Sequence, residues 1–264
     1  MNPILAHKTL NDILRTADRL GATTPKAITE EHRRLATAAD RSRVMYRDLR
    51  DDLTTVVVEA FADGRDPSTD PAVQQAVTRQ ALIHVQHGVA QAIAGRTAEL
   101  LTEHGPAILA GFRKPFDQAA ATITAAVQRV GNVSIDDMHA VLARGGDAAK
   151  AWAEAREANE IIAGIQQTWK LLSTATSRLH VDRRYWLLTI AEVPAETFVD
   201  EDLAHVNVKA WDAARRGFTL SLATPETLRQ RIKAVQAETQ RRQSEYDGAF
   251  AKAARQRYGT GAVA

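Results

Sequence analysis

Ala148-Ala-Lys-Ala-Trp-Ala-Glu-Ala-Arg-Glu-Ala-Asn-Glu-Ile-Ile-Ala-Gly-Ile-Gln-Gln-Thr-Trp-Lys-Leu-Leu-Ser-Thr-Ala-Thr-Ser177 runs with one breaker, Gly164, and no proline. Alanine loses no side-chain entropy in a helix, and the Glu, Gln, Lys, Arg and Leu around it lose little. As one helix the stretch would be roughly 45 Å long at 1.5 Å per residue. A helix of that length buries its apolar stripe against other helices, so the stretch points to a mainly α fold, an elongated bundle of long helices.

The flanking sequence carries matching stop and start signals. Upstream, Gly145-Gly146 ends a short helix and Asp147 caps the long one. That short helix, Ile135 to Ala143, opens on Ser134 and Asp137, a capping-box spacing with Asp in the Glu position. Before it, a helix ends at Gly131-Asn132, and Pro115 is expected to bend its first turns. His104-Gly105-Pro106 is expected to break or kink the preceding helix. Asp70-Pro71 caps that helix, and Leu82, Val85, Val89, Ile93 and Leu100 form its stripe.

Residues 63–71 are a loop by composition. Ile28 to Phe61 keeps a helical spacing after Thr24-Pro25, as one helix or as two with a break near residues 40–43. Asn2-Pro3 starts the first helix, and Gly21 ends it as a left-handed cap.

The pattern changes downstream. Tyr185-Trp-Leu-Leu-Thr-Ile-Ala-Glu-Val193 is β-branched and aromatic, and Phe218-Thr-Leu-Ser-Leu222 alternates with period two. Both read as strands, although 185–193 also fits a buried helix turn. With a helical Glu201 to Arg215 between them, residues 183–223 suggest a small α/β insert. Three parts follow: 1–179 as the long-helix bundle, 180–224 as the insert, and 225–264 as a basic C-terminal helix and tail. Thr224-Pro225 caps that helix, which runs to about Tyr258, and Gly259 to Ala264 is expected to fray.

The 264 residues include no cysteine, which excludes disulfides, thiol nucleophiles and thiolate metal sites. No run of about 18 apolar residues exists and the N-terminus lacks a basic region followed by an apolar one, so neither a membrane span nor a secretory leader is expected. These features fit a cytoplasmic protein with no membrane partner.

Catalytic patterns are missing. The single Gly-x-Gly, Gly259-Thr-Gly261, follows a helix instead of a strand. His84 and His87 could share a metal, but they sit away from the apolar stripe with no third ligand nearby. Asp136-x-x-His139 and Asp202-x-x-His205 resemble the carboxylate-His pairs of dinuclear bundle sites, yet lack the Glu and the further carboxylates those sites use. Asp200-Glu-Asp202 reads as acid at a helix start, stabilised by the helix dipole. No cofactor, metal or small-molecule ligand is expected.

Charge is more informative. The net is +2, but residues 225–264 hold 8 basic against 4 acidic side chains, a net of +4. Arg33, Arg34, Arg41, Arg43, Arg47 and Arg50 form a second cluster, interleaved with Asp40, Asp48, Asp51 and Asp52 in the manner of a solvated, ion-paired face. The C-terminal helix aligns Leu228, Ile232, Val235, Tyr246, Ala249 and Ala253 near one seam. Arg229, Arg231, Lys233, Arg241, Arg242, Tyr246, Phe250, Arg255 and Arg257 are therefore the candidate partner-binding residues. The plainer alternative is a terminal helix packed on the bundle with its charges in water.

Gly64-Arg-Asp-Pro-Ser-Thr-Asp-Pro-Ala-Val-Gln-Gln-Ala-Val-Thr-Arg-Gln-Ala81 and Glu103-His-Gly-Pro-Ala-Ile-Leu-Ala-Gly-Phe-Arg-Lys-Pro-Phe-Asp-Gln-Ala119 resemble helical proteins encoded by actinobacterial phages and prophages, often near head-assembly genes. The resemblance implies a phage structural or assembly protein in the host cytoplasm or the virion, and it carries no functional residues over. The sequence thus points to a non-enzymatic helical protein, such as a capsid-assembly scaffold or a virion component, that binds a protein partner or self-associates. A nucleic-acid-binding accessory protein is the second reading, and an enzyme with an unrecognised site the third.

Overall fold

The computed structural model describes residues 3–47, 53–176 and 179–258, with the side chains of all but 3–5, 7, 43–47, 82–87 and 254–258. The Asn2 cap, Arg50 and the 259–264 tail lie outside the described residues, as do the side chains of Leu82, His84, Val85 and His87. The fold is mainly α. Helices α1 (Pro3–Arg19), α2 (Lys26–Arg47), α3 (Leu53–Ala62), α4 (Pro71–Gly111), α5 (Arg113–Val130), α6 (Met138–Leu142) and α7 (Gly146–Ala175) come first. A 3-10 segment (Arg183–Thr189), strand β1 (Ala191–Glu192), α8 (Ala195–Asp200), α9 (Ala210–Arg215), strand β2 (Thr219–Leu220) and α10 (Pro225–Tyr258) follow.

The stretch from Ala148 to Ala175 lies in α7, whose buried side includes Ala148, Ala151, Ala155, Ala158, Ile162, Ile165, Trp169 and Leu172. Those positions repeat every three or four residues, so they share one face. α5 lies along α7 through Phe116, Ala119, Ile123 and Ala126, while α1 and α4 close the other side with Leu10, Ile13, Leu101 and Ile108. Two tryptophans tie the returning chain to the bundle: Trp152 Nε1 donates to the Ile135 carbonyl at 2.8 Å, and buried Trp211 Nε1 donates to the Val133 carbonyl at 2.9 Å.

Several boundaries differ from the sequence reading. α4 continues through Pro106. The proline falls in the last turns of the helix, and Gly105 before it has no Cβ to clash with the ring. The change of direction comes instead at Phe112, fully buried between α4 and α5. Pro115 lies in the first turn of α5, where its missing N–H has no intrahelical partner to lose. α2 is continuous across residues 40–43. Asp137 alone caps α6, accepting from the Ala140 N–H at 3.0 Å, while Ser134 accepts from the Asp136 N–H. Gly145 precedes α7 and Asp147 sits in its first turn. Asp70, by contrast, caps α4 as read, accepting from the N–H groups of Ala72 and Val73.

The insert is smaller than its sequence suggests. Tyr185, Leu187, Leu188 and Thr189 are all buried in the 3-10 segment, without the alternation that a half-exposed strand requires. Only Ala191↔Leu220 and Glu192↔Thr219 pair, antiparallel. Of the expected helix from Glu201 to Arg215 only Ala210–Arg215 forms, because α8 ends at Asp200 and Asp202 adopts a positive φ of 47°.

Gly111 is where the first loop presses on the bundle. The Thr23 N–H donates to the Gly111 carbonyl at 3.2 Å, and a Cβ on Gly111 would lie 1.8 Å from the Thr23 carbonyl oxygen. Gly111→Ala is predicted to destabilise the chain by about 1–3 kcal/mol through overpacking. Gly95→Ala, which meets nothing within 4 Å, should stabilise α4 by up to about 1 kcal/mol. Urea unfolding of the two variants checks both signs.

Candidate interaction surface

α10 has two unlike halves. Its start is fixed by a reciprocal cap: the Thr227 N–H donates to Thr224 Oγ1 at 3.1 Å, and the Thr224 N–H donates to Thr227 Oγ1 at 2.7 Å. Leu228 and Val235 then bury themselves against the body. From Gln243 to Ala253 every residue is exposed.

The predicted partner-binding residues separate along the same division. Arg231 is turned inward, its side chain 13% exposed. Its Nη1 donates to the carbonyls of Leu188, Ala191 and Ser221 at 2.8, 3.1 and 3.2 Å, and its Nη2 to Glu192 at 2.9 Å and Ser221 Oγ at 3.1 Å. One guanidinium thus joins the 3-10 segment, β1 and the end of β2 to α10. Burial lowers its pKa and the Glu192 carboxylate opposes that shift; at any ordinary pH the group stays charged.

Arg241 and Arg242 are also engaged within the chain. Both donate to Glu238, Arg241 Nη2 at 2.7 Å and Arg242 Nε at 2.6 Å, and Arg242 bonds Asp200 at the end of α8. The hydrogen bond from Arg241, then that from Arg242, pulls Glu238 down to about 2. Asp200 is lowered chiefly by its hydrogen bond from Arg242. Arg229 is exposed beside Glu226, Lys233 is exposed, and the side chains of Arg255 and Arg257 lie outside the described residues.

The exposed half carries the two large apolar side chains singled out from the sequence, Tyr246 at 68% and Phe250 at 67% exposure. At 100° per residue Tyr246 lies on the line of Leu228 and close to that of Val235, so the face that packs on the body continues past it uncovered. Beside this face lies a groove of about 600 Å³ between α10, α8 and the 3-10 segment. Tyr185, Phe198, Val199, Val235, Thr239 and Gln243 are among its walls, and the Tyr185 and Phe198 rings stack 6.2 Å apart. No motif marked this groove, because its walls come from three separate stretches of sequence.

The remaining candidates are dispersed. Asp202 bonds its own neighbour His205 at 2.8 Å, both exposed, and Asp136 accepts from Lys209 Nζ at 2.8 Å. Asp200 ends a helix instead of starting one, and Glu201 pairs with Arg216, so ion pairing and not a helix dipole accounts for the acidic triplet. In the arginine stretch, Arg34 Nη2 donates to Glu31 at 2.6 Å, and Glu31 also receives Arg96. Among the described residues no three His, Asp or Glu side chains converge as a metal site, and no helix is long and apolar enough to cross a membrane. Comparison with protein-family models, curated proteins and solved structures finds no match to this chain.

Arg231→Met is predicted to cost about 2–3 kcal/mol, because three partly buried carbonyls lose a charged donor. Arg231→Lys should recover only part, since an ammonium cannot reproduce the fork; urea midpoints of the pair test this. Glu238 gives a pH signature. Its folded pKa is depressed, so its stabilisation is complete above its ordinary value of 4.5 and is lost as pH falls toward about 2. Glu238→Gln should melt below the wild type at neutral pH and show a smaller drop across that window, as read by thermal melts over a pH series.

Proposed function

We propose that this chain is a non-enzymatic structural or assembly protein that works by helix–helix contact, with the distal half of α10 as its contact element. The observation that carries this reading is the packing face of α10 continuing beyond the body, with Tyr246 and Phe250 bare. Aligned aromatics on an exposed helix face mark protein contact surfaces. The resemblance of residues 64–81 and 103–119 to phage helical proteins gives the setting: a capsid-assembly scaffold or virion component, acting in the host cytoplasm or the particle. A nucleic-acid role has less support, because Arg231, Arg241 and Arg242 already spend their hydrogen bonds on the chain's own carbonyls and carboxylates.

Ending the chain after Arg242 removes the bare segment and keeps the body contacts described above. The shortened protein should keep the melting temperature of the body and lose association, both with itself and with the coat protein of the particle it would help assemble. Mass photometry of the full and shortened chains, alone and mixed with that coat protein, makes the comparison. Identical behaviour of the two in every mixture would overturn the reading.

A further inference from the structure

We infer that the occupant of the bare α10 face is the same segment of a second copy, laid antiparallel across a two-fold axis. The inference rests on the contact role proposed above and names the partner. Tyr246, Ala249 and Ala253 are spaced three and four apart, the spacing of a coiled-coil seam. Antiparallel pairing sets Tyr246 of one copy over Ala249 of the other, a large side chain against a small one, and does so twice.

The charges select this direction. Glu245 and Lys252 are seven residues apart, so they flank the seam on the same side, both exposed. In an antiparallel pair that flank faces its own counterpart, and Glu245 of each copy meets Lys252 of the other. A parallel pair would set this flank against Gln243 and Phe250, with no charge to match. A partner of uniformly acidic or basic surface would meet one of the two charges as a repulsion. Among the described residues Glu245 accepts an exposed intrahelical bond from Arg241 at 2.6 Å, and such bonds contribute little.

The geometry also leaves room. Thr239 and Gln243 line the groove beside α10, so open space adjoins the seam on this side. The contact is isologous and closes at two chains.

Light scattering of the full chain at tens of micromolar should show a dimer. Glu245→Lys and Lys252→Glu each place like charges opposite one another at both ends of the seam, and each should weaken the dimer by about tenfold or more. Mixed in equal amounts, the two variants should form a one-to-one heterodimer, and the chain carrying both substitutions should dimerise like the wild type. These side chains are exposed, so unchanged melting of each variant's monomer shows that the fold is intact. A monomeric wild type that still binds coat protein would overturn the second-copy inference and leave the assembly reading standing. So would a dimer indifferent to the single charge reversals, or variants that fail to pair with each other. A chain that neither dimerises nor binds coat protein would sink both.

Discussion

The alanine face of α7 sets how closely the rest of the body can approach. Ala148, Ala151, Ala155 and Ala158 are buried in its first half, and Ile162, Ile165, Trp169 and Leu172 in its second. Small residues let a neighbouring helix lie close, and α5, α1 and α4 all pack against α7. Gly164 marks the change and lies against α1 near Thr16, Arg19 and Leu20. Alanine buries little apolar area per residue, so a bundle built on it gains stability from contact length, at about 25 cal/mol per Å². Long helices are therefore a consequence of the composition as well as its signature.

Local signals explain how much of the fold was legible. The Asp70 and Thr224 caps, the left-handed Gly21 and the uninterrupted α7 depend on a few neighbouring residues, and each reads correctly. The run from Tyr185 misled because its outcome is decided by packing, and distant packing also constrains the position before Pro106. Gly105 sits where a Cβ would meet the Leu179 side chain at 2.6 Å, a contact across more than seventy positions. Tyr185, Leu187, Leu188 and Thr189 of the 3-10 segment are buried where it packs on α7 and α10. Periodicity cannot distinguish a buried turn from a short strand.

The same distinction divides the candidate surface. A count of cations along α10 treats them as equals, yet Arg231 answers carbonyls some ten to forty residues away and Arg242 answers Asp200. Those partners are invisible in a window of the final helix. The exposed, aligned positions of Tyr246 and Phe250 were legible because they follow from the helix period alone. Of the cations that first drew attention to α10, Arg231 and Arg242 root it on the body, while the side chains from Gln243 to Ala253 stand exposed.

That rooting alters the helix–coil balance of the segment beyond it. A free peptide of this length would be mostly coil in water, because the first turn must fix several residues for one hydrogen bond. Here the turns from Thr224 to Arg242 are already held by the reciprocal threonine cap and the Arg231 and Glu238 bonds. They act as a permanent nucleus. Each residue past Arg242 needs only propagation, so the exposed face is presented as a formed helix, and whatever binds it need not supply the ordering entropy.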